Sequence, residues 1–286
     1  MNEVLASLIL GWASNYTSRI TTQTQFVTID FLVREPILKL LAGKLNFKDL
    51  GSSGKQQVTK KGEFIFLANQ SVTLITKSGI VTEKPTQIWK EFGPSETHLL
   101  FSYSLKKNEN ALAIWNWTAP RSLALKTGTV NRNTEIELRD ISYNLNKEKL
   151  KPEYQDYKND FKDAYAVLQF HLKGKIAYIV SADAEVKSVS EKSRKKREDA
   201  PRLRWAGIFD ENLKAIGTIV DFAFDSKEQL DSLTPLAFLD LDGDGTDEMV
   251  SQRNYYEGSF THIGKMALLE NGRWEYNSRE IAGDGS

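Results

Sequence analysis

Residues 236–250 read LAFLDLDGDGTDEMV, an apolar run that breaks into alternating aspartates and glycines and then turns apolar again. Thr234-Pro-Leu-Ala-Phe-Leu239 before the break and Met249-Val-Ser-Gln-Arg253 after it have the composition of short strands, so the break is a strand-to-strand loop. Within it Asp240, Asp242, Asp244 and Glu248 stand at the first, third, fifth and ninth places. Alternate residues of a curling loop turn their side chains toward one centre. Gly245 permits the sharp turn that aims the Thr246 carbonyl at the same centre, and Glu248 closes it from the far side. Asp247, between two inward-pointing neighbours, is expected to face water. An all-oxygen donor set suits Ca²⁺, which takes about six to eight such ligands. Mg²⁺ is disfavoured, because it demands near-octahedral geometry and releases water reluctantly. Without a cation the clustered carboxylates repel one another, so the empty loop is expected to be strained or mobile. An Asp-Gly hairpin turn that binds nothing is the simpler alternative, but a turn needs neither three alternating aspartates nor two glycines.

The loop is not an EF-hand. That motif wants a bidentate glutamate at its twelfth place, where this chain has Ser251, and no amphipathic helix follows. The strand–DxDxDGxxE–strand pattern resembles the FG-GAP or VCBS-type repeat, over roughly residues 234–280 and including Tyr255-Tyr-Glu-Gly258. The resemblance implies Asp240, Asp242, Asp244 and Glu248 as side-chain ligands, Thr246 as a backbone ligand and Glu257 as support for the loop. A calcium loop points to export, because millimolar calcium lies outside the cytosol, and the β surface is expected to bind a protein or a polysaccharide. The ninth place is Glu where Asp is commoner, and the motif occurs once in the chain. A complete propeller therefore does not follow from it.

Outward from the loop, period-two patterning dominates. Residues 24–32, 62–67, 72–76, 98–105, 111–117 and 134–138 read as strands in the N-terminal half. Residues 165–170, 175–180, 204–209 and 216–220 do so in the C-terminal half, the last two joined by a turn at Asp210-Glu-Asn-Leu213. The expected fold is mainly β, built of antiparallel sheets in a sandwich- or propeller-like arrangement. A short N-terminal helix from the apolar run Val4–Leu10, ending near Gly11 or Asn15, and a second helix near 36–45 complete it. The charged, aliphatic-poor stretch 142–163 reads as a linker or an exposed helix. A boundary inside it divides the chain into 1–150 and 151–286, with one large domain as the alternative. Residues 191–199 hold five cations and three acids and read as a solvated loop.

Composition bounds the function. In 286 residues, 40% are hydrophobic and 10% aromatic, enough for sizeable cores. Lys plus Arg and Asp plus Glu both number 38, a balance that argues against nucleic acid or an anionic membrane as the main partner. No cysteine is present, which excludes disulfides, thiolate metal sites and a cysteine nucleophile. The N-terminal run is too short to span a bilayer. His98, His171 and His262 are scattered without zinc-site spacing. No G-x-S-x-G elbow occurs, and Gly51-Ser-Ser-Gly54-Lys55 lacks the spacing of a phosphate-binding loop. Trp89, Trp115 and Trp117 suggest a sugar platform or, as alternating strand aromatics, a core. With no catalytic residue identified, the expected function is that of a non-enzymatic calcium-binding β protein, periplasmic or extracellular. A hydrolase outside the cytosol, glycan-directed and with a structural calcium, is the alternative.

Overall fold

The computed structural model describes residues 8–14, 27–32, 54–59, 61–92, 97–103, 110–187, 189–191, 201–225, 232–255, 258–270 and 274–285. The expected helix near 36–45, Glu257 and most of the basic run 191–199 lie outside these residues. The chain forms two compact units. One comprises residues 1–126, 257–262 and 279–286, and the other 127–256 and 263–278. Among the described residues the structure is mainly β, with three antiparallel sheets of eight, four and four strands.

The first unit carries the eight-stranded sheet, formed by β1 (Ile9–Ser14), β2 (Val27–Leu32), β3 (Gly54–Gln57), β4 (Val72–Thr76), β5 (Gly79–Val81), β6 (Gln87–Phe92), β7 (Thr97–Tyr103) and β8 (Ala111–Trp115). Their spatial order is β3-β6-β7-β2-β1-β8-β4-β5. The N-terminal apolar run does not end as a helix near Gly11. Residues 9–14 form β1, with ladders to β2 on one side and β8 on the other. Those neighbours approach closely at Gly11, where a Cβ would lie 2.6 Å from the Asp30 carbonyl oxygen. Period-two side chains such as Ile29, Phe31, Leu99 and Phe101 fill the core under one face. Trp115 belongs there too, with ring centres 5.2 Å from both Phe31 and Phe101. It is a core residue and not part of a sugar platform.

That core is covered by α1 (Lys61–Ala68), where the sequence suggests a strand. The run Phe64-Ile-Phe-Leu67 is apolar throughout, and such runs fit a strand or a buried helix equally well. Packing decides the matter. Phe64, Leu67 and Ala68, spaced i, i+3 and i+4, face the sheet while Ile65 is exposed. Glu63 adds an ion pair to the buried Lys90 of β6 at 3.2 Å.

In the second unit α2 (Arg132–Asn146), a 3-10 turn (Lys147–Lys149), α3 (Pro152–Gln155) and α4 (Lys158–Asp163) precede the strands β9 (Ala166–Leu172), β10 (Lys175–Glu185), β11 (Arg202–Phe209) and β12 (Ala215–Asp225). Residues 134–138 are thus helical, not a strand. Five residues of Thr-Glu-Ile-Glu-Leu imitate alternation, but Leu138, Ser142, Tyr143 and Asn146 are buried at helical spacing. Asn131 caps the helix by accepting from the Thr134 amide at 2.9 Å. The charged stretch 142–163 lies inside this unit as helix, contributing Tyr143, Leu150 and Phe161 to its core.

The sheet of order β12-β11-β10-β9 is buried on both faces. Val167, Tyr178, Val180, Leu203 and Trp205 pack toward the helices. Their sequence neighbours Leu168, Ile179 and Ala206, together with Ile208, pack toward the third sheet. That sheet, β13 (Ser232–Leu239), β14 (Glu248–Tyr255), β15 (Gly258–Leu268) and β16 (Trp274–Gly285) in sequential order, contributes Leu233, Phe238, Met249, Met266 and Tyr276 to the shared core. Two antiparallel sheets with interdigitated inner faces make this part a β-sandwich.

Candidate metal centre

The acidic loop spans the gap between β13 and β14, whose ladder runs as far as the pair Leu239 and Glu248. Its curl is written in short-range hydrogen bonds. Asp240 Oδ1 accepts from the Gly243 amide at 2.7 Å and Oδ2 from the Gly245 amide at 3.2 Å. Asp242 accepts from the Asp244 amide at 3.3 Å, and Asp244 from the Thr246 amide at 2.8 Å. Each carboxylate thereby folds the backbone ahead of it while keeping lone pairs for a cation. Carboxylate oxygens of Asp240, Asp242 and Asp244 lie within 4.8 Å of one another.

A second hairpin holds the loop in place. Lys173 and Gly174, both at positive φ, turn β9 into β10. The Gly174 amide donates to the Gly245 carbonyl at 2.7 Å, and the Lys173 amide to Thr246 Oγ1 at 3.1 Å. Gly245 has φ +82°, and a Cβ there would meet the Gly174 nitrogen at 3.0 Å, so two separate constraints favour glycine. Thr246 is buried, with its hydroxyl committed to the hairpin.

Asp247 corrects the sequence reading. It is buried, not turned to water. Its Oδ2 accepts from the His171 amide at 2.8 Å and lies 3.0 Å from His171 Nδ1, while the Asp247 amide donates to the His171 carbonyl at 2.9 Å. The residue thus anchors the loop to the end of β9. Of the other histidines, His98 lies buried beside Asp30 at 2.9 Å, and His262 lies on β15, outside the cluster of aspartates.

Glu248, at the mouth of β14, is fully buried. Its Oε2 accepts from the Leu241 amide at 2.6 Å. Its Oε1 faces the Lys265 ammonium at 3.1 Å. Burial raises the Glu248 pKa to about 7, against the opposing pull of the Leu241 amide and Lys265. A pKa raised on folding contributes stability that is full below the unfolded value and lost as pH rises through the folded one. In calcium-free protein, stability should therefore fall by on the order of 3 kcal/mol between about pH 4.5 and about pH 7. Urea titrations in chelator across that window should show the fall in wild type and its absence in Glu248→Gln. Parallel pH profiles would contradict this assignment.

The residue that sequence reading misses is Lys265 on β15. Its Nζ lies 2.8 and 2.9 Å from the two oxygens of Asp242, 2.8 Å from Asp244 Oδ1 and 3.1 Å from Glu248 Oε1. Burial alone would lower the lysine pKa. Hydrogen bonds to Asp242 and Asp244 and the Glu248 charge outweigh that and hold it above the usual range. The ammonium is shared by three of the loop carboxylates, those of Asp242, Asp244 and Glu248. A lysine 17 positions beyond Glu248 gives no sequence signal, since only strand pairing brings it to the loop.

Three aspartates with carboxylate oxygens within 4.8 Å of one another, two of them sharing the Lys265 ammonium with the buried Glu248, fit a hard divalent cation. No protein-family model, curated protein or solved structure matches the chain. No helix among the described residues is long and apolar enough to cross a membrane.

Proposed function

We propose that this chain is a calcium-binding β protein in which the ion has a structural role, acting outside the cytosol as a non-enzymatic binding or adhesion module. Asp240, Asp242, Asp244 and Glu248, with the Thr246 carbonyl, would hold the ion. The supporting observation is that Asp242, Asp244 and the buried Glu248 all contact a single positive charge within 3.1 Å. An ion held by so many protein oxygens keeps few positions for substrate, which favours a structural part over Lewis-acid chemistry. The DxDxDGxxE spacing and its setting between strands support the likeness to FG-GAP or VCBS-type repeats. Loops of this kind with modest affinity saturate at the roughly millimolar calcium found outside cells, which favours export. The outer faces of the sheets would then meet a protein or polysaccharide ligand.

The test is thermal unfolding with calcium and with chelator. At about a hundred times the dissociation constant, mass action adds roughly 2.7 kcal/mol, a rise in Tm of roughly 5–10 °C for a chain of this size. Asp242→Asn should lose most of that increment, and magnesium at the same concentration should give little of it. Equal melting of the wild type with calcium and with chelator would rule the proposal out.

A further inference from the structure

We propose that Lys265 is a tethered counter-cation: it occupies the cation position of the 240–248 loop in the calcium-free protein and is expelled when calcium binds. The inference rests on the calcium reading above and adds to it a built-in competitor.

An ammonium has three donors, and the Lys265 nitrogen lies within 3.1 Å of both oxygens of Asp242, of Asp244 Oδ1 and of Glu248 Oε1. No other charge pairing of these groups is needed to explain why a residue only 8% exposed is a lysine. Calcium contacts its oxygens at about 2.3–2.6 Å, so an ion served by these carboxylates takes the space the nitrogen holds. Two cations cannot share it, because their repulsion at such a distance in a half-buried site is severe. Occupation is therefore exclusive. The flexible four-carbon stem of a lysine makes exchange feasible, since its compact, strongly hydrated head can be carried to water without moving the strand.

Two consequences follow for the loop. Calcium-free protein is not left with bare, repelling carboxylates, so the loop keeps its curl and stays docked on the β9–β10 hairpin. The apparent calcium affinity is also lowered by the fraction of molecules in which the lysine is away. The loop would then respond only to high calcium, as in an extracellular setting.

The experiment uses the full chain, with calcium chloride or chelator as the only variable. Brief acetylation of surface amines, read by mass spectrometry, reports how accessible Lys265 is. The expected result is slow labelling in chelator and labelling about tenfold faster or more in saturating calcium. In parallel, Lys265→Met should melt lower than wild type in chelator yet bind calcium about tenfold more tightly or better, as removal of a competitor present nine-tenths of the time requires. The labelling arm needs no variant and so stands if Lys265→Met fails to fold. A calcium-induced rise in Tm with Lys265 still protected would overturn the exchange and leave the calcium reading intact. No response to calcium in either protein would sink both. Calcium binding by Lys265→Met alone would also overturn the exchange and make the lysine a permanent replacement for the ion.

Discussion

Phe161→Ala should destabilise the second unit by about 3–5 kcal/mol, the range for removing a fully buried phenylalanine. The residue sits on a six-residue helix inside a stretch that its charges mark as a solvated connection. Yet Phe161 is fully buried, edge-on to Phe224 of β12 at 5.0 Å and 6.4 Å from the ring of Tyr143. Its removal leaves a cavity between helices and sheet that neither layer can close without losing other contacts. Urea denaturation followed by tryptophan fluorescence reads the effect, because Trp205 belongs to the same core. A loss below about 1 kcal/mol, the range of a surface substitution, would mean that the helices are not docked and that 142–163 is the linker its composition suggests.

Asp247→Ala should cost about 3 kcal/mol. The Asp247 side chain is fully buried and receives the His171 amide and ring. Alanine leaves the backbone donor without its charged acceptor, a loss of about 1.5–3 kcal/mol with a further penalty for desolvation. Asp247→Asn keeps an oxygen for that amide and should cost about half as much. Because the same contact docks the loop on β9, calcium affinity should fall in step with stability. Stability and calcium response unchanged in Asp247→Ala would show that the loop holds its shape without the hairpin.

Much of this was legible in the residues themselves. Alternation found β2, β4, β7, β8, β9, β10, β11 and β12 because successive side chains of a strand point to opposite faces, a property local to the backbone, and composition found β13 and β14. Where it misled, at 62–67 and 134–138, the window was too short to tell a period of two from 3.6. The answer lay in which residues met the sheet, Leu67 and Ala68 in one case and Leu138 and Tyr143 in the other. At the N-terminus the same ambiguity was resolved by two neighbouring strands taking up the backbone of residues 9–14.

The loop divides along the same line. Nine consecutive residues, Asp240 to Glu248, carry the donor pattern and the glycine that the turn requires, so their spacing alone determined a candidate cation site. Three features were decided only by tertiary structure: the burial of Glu248 that lifts its pKa, the inward turn of Asp247 onto His171, and the arrival of Lys265 among the carboxylates. Each depends on partners from other strands, 76 residues away for His171 and 23 for Lys265. Charge and hydrogen-bonding capacity belong to the residue, but which charge faces which is settled by packing.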